Sequence, residues 1–105
     1  MKLTFQRQFQ DNPRNILLHC GYHEFHPPHN PAAVSYVRVL ARSGWYPRFH
    51  VYVEEQGNGL TINLHLDQKK ESYAGVHAHS GDYDDSSPAV AEEAMRLTDC
   101  VNALP

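Results

Sequence analysis

The sequence predicts an α+β domain: a small, mainly antiparallel sheet of about four strands, with a short N-terminal helix and a C-terminal amphipathic helix packed on one face. Three observations carry this. Residues 48–67 hold two strictly alternating segments around a glycine-rich turn, and the residues after Ser87 repeat apolar side chains at helical spacing. The chain has 105 residues, 41% of them hydrophobic and 20% charged, which suits one core over residues 1–105 and leaves no room for a second.

Residues 2–9, KLTFQRQF, set Leu3, Phe5 and Phe9 against polar neighbours apart from Arg7, the pattern of a half-buried strand. Asn12-Pro13 supplies an N-cap and a first-turn proline, Ile16, Leu17 and Cys20 share one helical face, and Gly21 follows as a C-terminal stop. A helix of about two turns results. Pro27, Pro28 and Pro31 then make 22–33 a loop. The segment 34–42, VSYVRVLAR, fits a helix started at Asn30-Pro31, but its density of Val and Tyr and the alternation of Val37, Val39 and Ala41 with Tyr36 and Arg38 favour a strand.

In RFHVYVEE, Phe49, Val51 and Val53 alternate with His50, Tyr52 and Glu54; in LTINLHLD, Leu60, Ile62, Leu64 and Leu66 alternate with Thr61, Asn63, His65 and Asp67. Gln56-Gly57-Asn58-Gly59 between them is a hairpin signal. The apolar faces coincide only when paired residue numbers sum to an odd total. An Asn58-Gly59 loop pairs 52 with 65, and a loop at 56–59 pairs 50 with 65. Either register puts His50, Tyr52, His65 and Asp67 on one face. Ser87 then caps a last helix with Pro88 in its first turn, and Val90, Ala94, Leu97, Val101 and Leu104 form its inner stripe.

The formal net charge of −3 excludes a polycation that binds nucleic acid by charge alone, although residues 1–52 sum to +4 and residues 53–105 to −7. No apolar run is long enough to span a bilayer, so no membrane partner is expected. MKLTFQRQFQ lacks the apolar stretch of a secretory signal, which makes the cytoplasm the expected setting. Cys20 and Cys100 stand 80 residues apart with no Cys-x-x-Cys pair, so they read as small buried apolar side chains rather than as a zinc ribbon or a disulfide framework.

Eight histidines are the one compositional feature that points to chemistry. If the chain after Asp67 folds back over the polar face of the hairpin, the loop at 75–82 brings His77 and His79 to His50 and His65. Imidazoles with a nearby carboxylate suit a divalent metal, zinc first. In that scheme His50, His65, His77 and His79 supply ligands, Asp67 orients a ligand or acts as general base, and Lys69 meets a small anionic substrate, a phosphoester or an amide hydrolysed by metal-bound water. His23, His26 and His29, three apart in the proline-rich loop, form a second histidine group. The plain alternative for each is a solvated or hydrogen-bonded surface histidine, and no His-Glu-x-x-His helix is present. A different class of function is a binding module for RNA, single-stranded DNA or protein through the Arg/aromatic surface at 36–52, with Arg38, Arg48 and Tyr52 as the contact residues.

Overall fold

A computed structural model describes residues 1–42, 44–68 and 87–105. Five strands, β1 (Lys2–Phe5), β2 (His23–Phe25), β3 (Ser35–Val39), β4 (Arg48–Gln56) and β5 (Gly59–Asp67), form one antiparallel sheet in the order β1-β5-β4-β3-β2. Among the described residues, helices α1 (Pro13–His19) and α2 (Pro88–Asn102) join the sheet in an α+β fold. Among the described residues no helix is long and apolar enough to cross a membrane.

The hairpin β4–β5 adopts the register in which His50 faces His65, and pairing continues to Gln56 opposite Gly59, so the turn is Gly57-Asn58. Phe49, Val51, Leu60, Ile62, Leu64 and Leu66 thereby share one face and meet Ile16, Leu17, Val90, Leu97 and Val101 in the core. Burying each such side chain contributes about 1.5–3 kcal/mol. Gly59 sits where β5 passes β1: a Cβ there would collide with the Phe5 carbonyl oxygen.

Helix ends follow the local chemistry. The Asn12 side chain accepts from the Asn15 amide at 2.9 Å, and Gly21 takes φ +95°, letting Gly21 and Tyr22 amides donate to the Leu18 and Leu17 carbonyls. Ser87 accepts from the Val90 amide at 3.2 Å. The far end of α2 is closed by Arg7, which donates to the carbonyls of Val101 at 3.1 Å and Leu104 at 2.6 Å.

That contact explains one departure from the sequence reading. The first strand stops at Phe5 rather than running to residue 9, because Arg7, the residue that broke the alternation, is used to cap α2. A second departure is β2, which lies inside the segment 22–33 expected to be loop throughout. His23–Phe25 pairs with Val37, Tyr36 and Ser35 before the prolines begin, giving five strands instead of about four. The third concerns the cysteines. Cys20 and Cys100 are not separate thiols but a disulfide with Cα atoms 6.0 Å apart, because the C-cap of α1 and the last turns of α2 are packed side by side over the sheet.

Candidate functional site

Alternation that points the apolar residues of β4 and β5 at the helices sends Arg48, His50, Tyr52, His65 and Asp67 to the opposite face. Pairing of Val37 with His50 adds Val37 and Ser35 from β3, and pairing of Phe25 with Ser35 adds Phe25 from β2. On this face a continuous hydrogen-bonded chain runs across three strands. The Ser35 hydroxyl lies 2.6 Å from His50 Nε2, and His50 Nδ1 lies 2.9 Å from Asp67 Oδ2.

The carboxylate can only accept, so Nδ1 carries the proton and donates it to Asp67; Nε2 of the neutral ring is then the acceptor for the Ser35 hydroxyl. Arg48 Nε donates to the same Oδ2 at 3.2 Å. Its guanidinium is held between the rings of Tyr46 and Phe25, 4.5 and 4.8 Å from their centroids. Burial by itself would push the Asp67 carboxyl up, but the hydrogen bonds and charges of His50 and Arg48 outweigh it and hold the group below the usual carboxylate range.

Rings frame the histidine on both sides. Tyr52 stacks on the His50 imidazole with centroids 4.6 Å apart and planes 21° from parallel, and Phe25 meets it edge-on at 5.7 Å. Ser35 and His50 are almost wholly enclosed, at 3% and 7% exposure, whereas Tyr52 at 47% forms the open rim. In so dry a setting a hydrogen-bonded imidazole and hydroxyl interact more strongly than in water.

Of the residues expected at a metal site, His50, His65 and Asp67 share this face; His65 sits directly opposite His50 and meets Tyr52 at 5.7 Å. His77, His79 and Lys69, with the loop at 75–82, lie outside the described residues. Among the described residues no group of three or more His, Cys, Asp or Glu side chains is arranged to hold a metal ion. The His26 ring bridges its loop and β2, with Nδ1 3.0 Å from the Pro31 carbonyl and Nε2 3.6 Å from Glu24. The three residues of the nucleic-acid reading are divided: Arg38 points to the helix side and pairs with Glu93, Arg48 is buried against Asp67, and Tyr52 is exposed.

Ser35 and Phe25 are the members that sequence reasoning did not find. Parity within VSYVRV puts Ser35 on the face of Val37, but only the pairing of β3 with β4 sets that face beside His50. No protein-family model, curated protein or solved structure matches the chain.

Proposed function

We propose that the protein is a hydrolase or acyl transferase in which Ser35 is the nucleophile, His50 its general base and Asp67 the carboxylate that orients the base. The observation that carries this reading is the Ser35–His50–Asp67 chain, with both contacts at hydrogen-bonding distance. In such a site Ser35 Oγ attacks the carbonyl carbon of an ester or amide while its proton passes to His50 Nε2. The carboxylate of Asp67 stabilises the imidazolium that forms. The leaving alcohol or amine takes the proton as the C–O or C–N bond breaks, and a water or second alcohol, deprotonated by the same histidine, releases the acyl group from Ser35. A small fluorophosphonate tests this: intact mass should show one covalent adduct, lost in Ser35→Ala and in His50→Ala. An unlabelled folded protein sinks the proposal.

A divalent metal, zinc first, is the second reading, favoured by a specific contact. A carboxylate on Nδ1 is the outer partner that metal-bound histidines use, leaving Nε2 to ligate, and His65 stands across from it. His77 and His79 would complete the ligands, with Lys69 beside an anionic phosphoester or amide substrate. Stoichiometric zinc in protein purified without an affinity tag, lost in His65→Ala, would favour this reading over the serine nucleophile. RNA or single-stranded DNA binding through Arg38, Arg48 and Tyr52 has less support, because the two arginines face opposite sides of the sheet. The disulfide favours an oxidising compartment over the cytoplasm.

A further inference from the structure

On the helix-bearing side, across the sheet from His50, a buried carboxylate gathers two arginines. Glu93 of α2 is 4% exposed, and its two oxygens receive four donors. Oε1 accepts from Arg38 Nη1 at 3.2 Å and Arg96 Nε at 2.8 Å; Oε2 accepts from Arg96 Nη2 at 2.8 Å and from the Tyr22 hydroxyl at 2.5 Å. A carboxylate offers about four acceptor positions, so Glu93 is saturated. One negative charge therefore holds two positive ones, and the cluster keeps a net positive charge.

The two guanidinium groups converge on a single oxygen, yet each remains open to solvent, with side-chain exposures of 34% for Arg38 and 39% for Arg96. Arg96 is fixed further by donating from Nη2 to the Cys20 carbonyl at 2.8 Å. Among the described residues no further acceptor is bonded to Arg96 Nη1 or to Arg38 Nε and Nη2, whose hydrogens are left for a ligand. Gly21 borders Arg38 without a side chain; a Cβ there would rest 3.8 Å from Nε. The result is a pair of half-exposed, pre-positioned forks at the junction of α1, β3 and α2.

We infer that Arg38 and Arg96 form a binding site for a tetrahedral oxyanion, inorganic phosphate or the phosphate group of a small phosphomonoester. Fork-shaped donors match two oxygens of such a group, and anchoring by Glu93 removes the rotamer cost of organising them. This site stands apart from the Ser35–His50–Asp67 chain and does not depend on it.

Titrating the whole oxidised protein with sodium phosphate, against sodium chloride at matched ionic strength, tests the inference by NMR of the arginine Nε–H signals. The expected result is saturable movement of the Arg38 and Arg96 signals with phosphate alone, and binding about tenfold or more weaker in Arg38→Gln. Arg38→Gln leaves Glu93 with Arg96 and Tyr22; should it nevertheless fail to fold, Arg38→Lys keeps the charge without the fork and should still weaken phosphate. Arg42→Gln serves as the unaffected control. Equal movement in chloride, no saturation, or full binding by a folded Arg38 variant overturns the inference. Competition by phosphoserine but not serine extends it from the free ion to phosphomonoesters; weaker binding of phosphoserine than of phosphate restricts it to the inorganic ion and overturns the phosphomonoester part.

Discussion

Phe49, Val51, Ile62 and Leu64 on the helix-bearing face of the sheet are matched by Ile16, Leu17, Val90, Leu97 and Val101, and the charges placed there, Glu93 with Arg38 and Arg96, lie where helix and sheet meet. On the other face the same two strands carry Arg48, His50, Tyr52, His65 and Asp67, and the buried members are polar and hydrogen-bonded to one another. The first face holds the molecule together by removing apolar area from water. The second spends burial on an imidazole held between a hydroxyl and a carboxylate. A single hairpin with period-2 alternation makes both, so substitutions on adjacent residues should affect different observables.

The largest effect should come from the cross-link under the first face. Cys100→Ser, or reduction of the native chain, opens a loop of 80 residues and should lower stability by about 4.5 kcal/mol in urea unfolding. Fluorophosphonate labelling of whatever fraction stays folded should be unchanged; labelling lost beyond the fraction unfolded would tie the two faces together. Leu97→Ala, at a fully buried position, should cost about 3 kcal/mol and again spare labelling. Gly59→Ala should cost about 1–3 kcal/mol, because the added methyl forces β5 away from the Phe5 carbonyl. Ser35→Ala inverts the pattern, with about 1 kcal/mol lost from its bond to His50 and labelling abolished.

Acid should act on both faces gradually. Asp67 and Glu93 each experience burial that raises their pKa, yet each ends below its unfolded value because of its partners, His50 and Arg48 for one, Arg96, Tyr22 and Arg38 for the other. Between the folded and unfolded pKa values the unfolded chain binds more protons, so stability is complete above about pH 5 and falls as pH drops through 4 and below. Asp67→Asn should remove its share of the slope in an acid-unfolding series. Tyr22 adds an alkaline limit: burial first, then Glu93, raise its pKa, so stability is lost as pH climbs past about 10, where the unfolded phenol ionises.

Local signals named the helices, the hairpin and its face, because Asn12-Pro13, Ser87-Pro88 and the alternation in 48–67 each act over a few residues. Parity alone also put His50 beside His65 and Asp67. What parity could not supply was the arrival of a third strand. Ser35 is fifteen residues from His50, and the pairing that joins them depends on how the chain turns between Val39 and Arg48. The short strand His23–Phe25 was hidden by the prolines after it, and with it Phe25, the edge that closes over His50. The disulfide was equally illegible: a separation of 80 residues says nothing about distance until two helices share a face.

That bond also changes what a single cut in the chain can do. Residues 20 and 100 are joined, so every peptide bond between them lies inside a covalent ring. Trypsin acting at Lys69 or Lys70 would therefore not release α2 from the sheet. The nicked protein would travel as one molecule, heavier by one water for each bond cut, and would part into a sheet fragment and a helix fragment only when a reductant was added.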